Sequence, residues 1–275
     1  MRISRIRHIV TAALAGAGVA LSACGGVPVE GKESSAAQLR RAAFEASAVE
    51  SALRADPACA GTNENFGAVM RDLLERYNTL ASSRGMALAW HPDAPEGAVS
   101  ALVCRGAPVA AYAQGRSVAL SEGLLWTLAA AAQARGRYPE DDAAFTRALD
   151  EIAAAAHGGA VSLHVTPAGM DGPLFRSALA FVLYHELGHA ELGHTREMDD
   201  GYGVQAHPER EIQADLFAAW AVDAAGIPPE GAQVVFALME RLEPEGVSGH
   251  EEPWRRASAI HLAADGGLSL LLAYP

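Results

Sequence analysis

The segment His185-Glu186-Leu187-Gly188-His189, set in the apolar run Leu174–Leu192, is the feature that most restricts how this chain can fold. Residues four apart on an α-helix lie on one face, so both imidazoles leave the helix on the same side. A helix that is apolar nearly all round is buried, and buried histidines need partners that satisfy them. Another element of the chain therefore has to supply groups that face these two rings.

The spacing of the two histidines predicts a zinc site. Zinc binds neutral imidazole nitrogens, and a site with three protein ligands keeps a fourth position for water. Glu186 follows the first histidine directly and can reach that water as a general base, in the manner of a zinc hydrolase. The sequence thus predicts His185 and His189 as metal ligands and Glu186 as a catalytic residue. The alternative is a pair of hydrogen-bonded core histidines without a metal.

A third ligand is expected downstream, and two known spacings do not supply it. The metzincin pattern requires glycine and histidine at the positions that Leu192 and Thr195 occupy. His194 lies one residue short of that pattern, and on a continuing helix it would point away from His189. The pattern Gly-Thr-x-x-Asp is absent from the chain.

The third spacing, Glu-x-x-x-Asp on a second helix, is present as Glu211-Ile212-Gln213-Ala214-Asp215. Glu211 and Asp215 share one helical face, so Glu211 can bind the metal while Asp215 accepts a hydrogen bond from the far nitrogen of His185. Pro208 marks the start of this helix, and Gly226 and Pro228 mark its end. The alternative is an ordinary acidic first turn that faces solvent.

These motifs resemble those of gluzincin metallopeptidases, in particular the membrane-associated group that contains the heat-shock membrane protease and the prenyl-protein endopeptidase. The resemblance also rests on Gly115–Leu125, which is similar to the strand and helix start before that family's active-site helix. A late segment, His250–Arg256, is similar to a His/Pro/Arg segment of those proteins. Two features depart from the family: the interval from His189 to Glu211 is short, and the proline of the late segment is displaced from its histidine. A neighbouring possibility is the phage-exclusion peptidase type, which shares a similar zinc pattern and little else.

The resemblance implies zinc-dependent cleavage of peptide bonds. Such an enzyme needs a donor for the oxyanion that forms at the scissile carbonyl. The resemblance favours His250 for this catalytic role; the other candidates are Arg255, Arg256, Tyr202 and His207. The resemblance also implies that a strand edge at Ser117–Leu120 pairs with the substrate backbone.

The predicted fold class is α+β and zincin-like: mostly helical, with a small mixed or antiparallel sheet and an active-site pair of helices. Alternation and turn residues predict strands at Met86–Trp90 and Val99–Cys104, a hairpin of Val109–Tyr112 and Ser117–Leu120, and a short strand at Val161–Val165. The predicted organisation is a signal peptide (1–23), a linker (24–35), a helical N-terminal region (36–85) and a zincin-like metallopeptidase domain (86–275). Helices are predicted at Ala36–Arg54, Asn65–Ser83, Leu124–Ala134 and Ala143–Ala156.

The N-terminus predicts export and lipidation. Arg2, Arg5 and Arg7 precede the short apolar stretch Ile9–Ala20, which is typical of a signal peptide. The stretch ends in Leu21-Ser22-Ala23-Cys24, which resembles a bacterial lipobox, so Cys24 is expected to be acylated and to hold the protein to a membrane. Gly25 favours the outer membrane if the cell is Gram-negative. The alternative is an ordinary secretory signal.

Cysteine usage and charge agree with that location. Once Cys24 is acylated, Cys59 and Cys104 remain, and such a pair in an exported chain predicts a disulfide, with two free thiols as the alternative. The formal net charge is −12, and removal of residues 1–23, with three arginines and no acidic residue, brings it to −15. This charge disfavours nucleic acid as a partner. Nothing in the sequence indicates the oligomeric state.

Three functions are consistent with these features. The first is a lipid-anchored zinc endopeptidase of the bacterial cell envelope that acts on protein or peptide substrates in quality control. The second is a zinc-bearing binding or chaperone lipoprotein that holds proteins without cleaving them. The third is a hydrolase of cell-wall peptides.

Overall fold

The computed structural model describes Cys59 and residues 66–90, 98–105, 109–158, 165–166, 170, 172–197 and 208–242. Within these ranges the chain is mostly helical with one small sheet, so the α+β class is confirmed. The elements in chain order are α1 (Gly67–Arg84), β1 (Ala89–Trp90), β2 (Val99–Cys104), β3 (Ala111–Gln114), β4 (Ser117–Ser121), α2 (Glu122–Arg137), α3 (Asp142–Gly158), α4 (Pro173–Glu191), α5 (His194–Glu197), α6 (Pro208–Ala224) and α7 (Gly231–Leu242). The predicted signal peptide, Cys24, the linker and His250 lie outside the described residues.

The sheet is mixed, with the strand order β1-β2-β4-β3. Strands β1, β2 and β4 run parallel, and β3 pairs antiparallel with β4. The prediction that Ser117–Leu120 forms the sheet edge is wrong, because β4 pairs with β2 on one side and β3 on the other. The tight turn at Gly115, which has a φ of 57°, folds β3 onto the outer side of β4. Among the described strands, β3 therefore forms one edge of the sheet and β1 the other.

Helix α4 runs through the centre of the molecule. It begins at Pro173, one residue before the predicted start, because proline suits the first helical position. Phe175, Leu179 and Leu183 are fully buried on it. It packs against α1, α2, α6, α7 and strands β3 and β4. The apolar character all round the helix is thus explained by neighbours on every side.

Helix α7 has no counterpart among the elements predicted above. The apolar residues Val234, Val235 and Leu238 are buried at helical spacing, which is the signal that could have predicted it. Its first residue, Gly231, lies against the backbone of α4: a Cβ there would come within 2.1 Å of Ala178 N. Only glycine allows this approach.

A disulfide joins Cys59 to Cys104, with the sulfur atoms 2.03 Å apart. Cys59 is buried with Leu102 and Ala119 on the face of the sheet away from the main core. Val165 is not part of a strand, and the rest of the predicted strand Val161–Val165 lies outside the described residues. In the ranges that the structure describes, no helix has both the length and the apolar character that a bilayer crossing requires.

Candidate metal centre

The two histidines of the pentapeptide lie side by side near the C-terminal end of α4. Their Nε2 atoms are 3.0 Å apart, and their ring centroids are 4.7 Å apart. Both side chains are largely buried, with 10% of the His185 side chain and 14% of the His189 side chain exposed. The helical spacing therefore directs both Nε2 atoms to one point, as predicted.

Helix α6 brings Glu211 to the same point. Its Oε2 lies 3.5 Å from His185 Nε2, and its Oε1 lies 3.5 Å from His189 Nε2. One ligand atom from each of the three residues falls within 4.8 Å of the others. Zinc bonds of about 2.0–2.1 Å in tetrahedral geometry place neighbouring ligand atoms about 3.3–3.4 Å apart. The two rings and the carboxylate are thus already at the separations that one metal ion requires.

A glycine and a row of alanines allow the two helices to approach this closely. A Cβ at Gly188 would lie 2.9 Å from the Phe217 ring, so the middle of the pentapeptide is in direct contact with α6. On α6, small side chains with no exposed surface face the core: Ala214, Ala218 and Ala221. The position of Gly188 therefore has a structural reason, which the sequence pattern alone did not reveal.

Asp215 lies one helical turn beyond Glu211, and its Oδ1 is 2.8 Å from His185 Nδ1. The carboxylate is almost fully buried, with 1% of its side chain exposed. The two atoms are close, but their angle is not that of a well-aligned hydrogen bond. His185 Nδ1 has no other partner among the described residues. A carboxylate at this nitrogen favours the Nδ1–H form of the ring, which leaves Nε2 free to bind a metal.

The two rings have opposite pKa shifts. Burial acts to lower the pKa of His185, but the carboxylates of Asp215 and Glu211 outweigh it and raise that pKa from 6.5 to about 10. Burial, reinforced by the neighbouring His185, lowers the pKa of His189 to about 3. Without a metal the site therefore holds one proton on His185, and His189 is neutral. That proton must leave before both rings can bind one cation.

Glu186 is buried beside these ligands, with 8% of its surface exposed. Its negative charge helps Asp215 and Glu211 to raise the pKa of His185 against the effect of burial, and its contribution is smaller than theirs. Glu186 does not belong to the group of ligand atoms formed by His185, His189 and Glu211. It thus lies beside the candidate ligand atoms without being one of them, which is the position that a general base of a metal site would take.

His194 lies against His189, contrary to the direction expected on a continuing helix. Helix α4 stops at Glu191, and Gly193 has a φ of 77°, a left-handed conformation that turns the chain back. His194 Nδ1 lies 3.0 Å from His189 Nδ1, and His194 Nε2 lies 2.9 Å from Gln213 Oε1. His194 therefore contacts the side of the His189 ring that faces away from His185.

The edge strand β3 borders this centre. Both α4 and α5 pack against β3. The hydroxyl of Thr195, on α5, donates a hydrogen bond of 3.1 Å to the Gly115 carbonyl in the turn between β3 and β4. The helical part of the site and the edge of the sheet are thus tied to one another.

The structure brings together the predicted residues His185, Glu186, His189, Glu211 and Asp215. The candidates for the oxyanion donor lie outside the described residues: Tyr202, His207, His250, Arg255 and Arg256. The sequence analysis considered His194 only as a third ligand that fails the metzincin spacing, and it assigned no role to Gln213 or Gly188. The repeated Leu-Gly-His in Leu187-Gly188-His189 and Leu192-Gly193-His194 is the signal that could have drawn attention to His194.

Comparison with known proteins gives one match. A family model described as Peptidase U49 matches residues 170–226. The match supports a peptide-bond hydrolase. The matched span includes all of α4, α5 and α6, so it contains every residue of the His185–His189–Glu211 group. No curated protein and no solved structure matches the chain.

Proposed function

We propose that this chain is a zinc-dependent endopeptidase of the bacterial cell envelope, with a role in protein quality control. The observation that carries the proposal is the convergence of two imidazoles from α4 and a carboxylate from α6 on one point. The peptidase family match covers the same helices. Glu211 places one carboxylate oxygen 3.5 Å from the Nε2 atom of each ring, where a third ligand would lie.

The ligand types favour zinc. Imidazole nitrogens suit zinc among the abundant divalent ions, whereas magnesium and calcium prefer sites made of oxygen alone. Two histidines and one glutamate with a further open position form the donor set of hydrolytic zinc sites. When bound, zinc would polarise the scissile carbonyl and make a water molecule at the open position more acidic.

The side chains of this chain would do the remaining work. Glu186 would take a proton from the attacking water and return it to the leaving amine. Asp215 would hold the His185 ring in the tautomer that presents Nε2. The outer edge of β3, beside α4, pairs with no other described strand and would bind an extended peptide through main-chain hydrogen bonds, the role predicted for Ser117–Leu120.

The proposed location rests on the N-terminal sequence. A basic start, a short apolar stretch and a small-residue segment that ends in Cys24 favour an acylated protein. The disulfide between Cys59 and Cys104 agrees with an oxidising compartment outside the cytoplasm. The acyl chains would hold the acidic protein at a membrane surface, where exported proteins would be its substrates.

Substitution of Glu186 by glutamine tests the activity. The full chain is incubated with an unfolded protein substrate such as reduced casein, and new amino termini are counted. We expect Glu186→Gln to lower turnover by about 10²- to 10⁴-fold, because it removes the general base, while zinc content is unchanged. Glu191→Gln is the matched control: Glu191 is on the same helix and accepts a hydrogen bond from Ala87 N, which a glutamine oxygen can also accept.

Other outcomes would reject the proposal. A wild-type chain that binds unfolded protein but releases no new amino termini would favour a chaperone-like lipoprotein. Cleavage of peptidoglycan peptides with no cleavage of casein would favour a cell-wall hydrolase. Equal turnover in the wild type and Glu186→Gln would contradict the assigned role of Glu186.

The location has its own test. Cys24→Ser is expected to abolish incorporation of a labelled fatty acid and to move the protein from the membrane fraction to the soluble fraction. Labelling that survives Cys24→Ser would show that Cys24 is not the acylated residue.

A further inference from the structure

The two imidazoles of the candidate group differ at their Nδ1 atoms. Among the described contacts, His185 has a carboxylate at Nδ1 and His189 has none. Asp215 Oδ1 takes this place for His185, at 2.8 Å. At His189 the neighbour is another ring: Nδ1 of His194 lies 3.0 Å from Nδ1 of His189. A neutral imidazole has one donor nitrogen and one acceptor nitrogen, so this contact can run in either direction.

The direction decides whether His189 can bind a metal. If His189 Nδ1 carries the proton and donates it to His194, the His189 Nε2 lone pair is available to a cation. If His194 donates instead, the proton of a neutral His189 lies on Nε2, where it blocks the cation. His189 Nε2 is the atom that faces His185 and Glu211, so the first direction is the one a metal site needs.

Gln213 breaks this symmetry. Its Oε1 lies 2.9 Å from His194 Nε2 and can only accept a hydrogen bond. In the amide orientation that presents this oxygen, His194 carries its proton on Nε2, and its Nδ1 accepts from His189 Nδ1–H. The amide oxygen of one residue thus fixes the proton positions of two rings in sequence.

We propose that His194 and Gln213 are positioning residues that hold His189 in its metal-binding tautomer. Gln213 belongs to α6, between Glu211 and Asp215, so one helix supplies the carboxylate ligand and determines the tautomers of both histidines. The inference rests on the proposed metal site and adds to it the reason that His189 needs no carboxylate of its own.

The backbone supports this arrangement. The left-handed Gly193 turns the chain so that His194 lies beneath His189, with ring centroids 5.1 Å apart. Thr195 then fixes the same short helix to the turn at Gly115. His194 is buried, and its ring is held between His189 and Gln213.

Three substitutions of Gln213 test the direction of the hydrogen bonds. Gln213 is exposed, so its replacement leaves the core intact. Zinc affinity of the full chain is measured by competition with a fluorescent chelator. Gln213→Glu keeps an acceptor and is expected to bind zinc no more weakly than the wild type. Gln213→Ala removes the acceptor and is expected to weaken binding about tenfold, and Gln213→Lys, which can only donate, about 100-fold.

Two controls separate this effect from charge alone. Glu209→Gln, in the first turn of α6, changes the net charge of the protein by +1, as Gln213→Lys does. It is expected to weaken zinc binding by less than Gln213→Ala does. An effect of charge also fades as salt is added, whereas an effect of hydrogen-bond direction persists. Long-range ¹H–¹⁵N spectra of metal-free protein compare the tautomers of His189 in the wild type and the variants. Because the Nε2–H of protonated His185 also favours the Nδ1–H form of His189, the inference requires the Nδ1–H fraction to be lower in Gln213→Lys than in the wild type.

The inference is overturned if the zinc affinities of the three Gln213 variants do not fall in the expected order. If Gln213→Lys binds zinc as tightly as Gln213→Ala, or if Gln213→Glu is as weak as Gln213→Ala, the amide oxygen does not determine the tautomer. If the wild-type chain binds zinc but the variants do not differ in this way, only this inference is wrong. A wild-type chain that binds no zinc removes the proposed function with it.

Discussion

The two halves of α4 are each approached closely by another helix through a glycine, but the contacts differ. At the N-terminal half, Gly231 of α7 lies against the backbone of α4, with Ser177 C and Ala178 N as its nearest neighbours. At the C-terminal half, Gly188 lies against the ring of Phe217 on α6. The first contact is with backbone atoms, which no side-chain rotation can move, whereas the ring of Phe217 can rotate. The difference indicates that the N-terminal half anchors the helix, while the fit of the C-terminal half to α6 sets the distances among the candidate ligands His185, His189 and Glu211.

Gly231→Ala should separate the two halves most clearly. The added Cβ would meet backbone atoms at 2.1–2.2 Å, so the start of α7 must move away from α4. We expect a loss of about 3 kcal/mol in the free energy of unfolding, at the upper end of typical overpacking effects. Chemical denaturation measures this loss. Zinc affinity of the folded fraction should stay within a factor of about three, and a larger loss of affinity would show that the two halves are coupled.

Gly188→Ala should have the opposite profile. Here the Cβ meets the Phe217 ring at 2.9 Å, and that ring can shift at a cost of about 1–2 kcal/mol in stability. The added Cβ also lies 3.2 Å from Phe217 Cβ, which rotation of the ring cannot move, so α6 itself must shift. That shift moves Glu211 relative to the two rings, so we expect zinc affinity to fall about tenfold or more. Unchanged zinc affinity with lowered stability would contradict the claim that this contact sets the ligand distances.

Acidification should change the zinc affinity of the site at the C-terminal half of α4 and leave the contacts of its N-terminal half unchanged. The pKa of His185 is raised to about 10 by Asp215 and Glu211 against the effect of burial, so metal-free protein carries this proton at neutral pH. Zinc must displace it, and its affinity should fall about tenfold for each unit by which the pH drops between 8 and 6. The pKa of His189 is lowered to about 3, so this ring adds no second proton in that range.

Calorimetry in buffers of different ionisation enthalpy counts the protons that zinc binding releases. We expect about one proton per zinc ion, supplied by His185. The count is made at pH 6, below the range in which zinc-bound water ionises. Release of two protons there would show that both rings are charged before zinc binds, and release of none would show that neither is.

Ser177→Ala should have the smallest effect. The Ser177 hydroxyl accepts a hydrogen bond from Gly231 N, 2.9 Å away, and donates one to the Pro228 carbonyl. Loss of these bonds is expected to cost about 1–2 kcal/mol of stability, with no change in zinc affinity. Thermal unfolding with and without zinc distinguishes the two quantities. A change in zinc affinity would show that the anchor reaches the site.

The elements with strong local signals were predicted well from the sequence. Helix α4 was placed within one residue at each end, because its apolar run and Pro173 define it. Pro208 likewise gave the start of α6, and helical spacing on the two helices gave the group His185, His189 and Glu211. Spacing on a helix is a local property, which is why one sequence is enough to derive it.

Pairing between distant segments was harder to predict. Alternation in the sequence indicates strands but not their neighbours, so β4 was wrongly taken as the edge in place of β3. The position of His194 depends on one left-handed glycine, Gly193, whose conformation the sequence pattern leaves open. The close contacts of Gly188 and Gly231 depend on the relative position of two helices, which no local pattern specifies.

The most direct test of the metal centre is the zinc content of the purified full chain, measured for the wild type beside His189→Ala and Glu211→Ala. Because three side chains converge on one point, we predict about one zinc ion per wild-type chain and almost none in either variant. Folding of each variant is checked by circular dichroism. A wild-type chain without zinc, or equal zinc in all three proteins, would contradict the account.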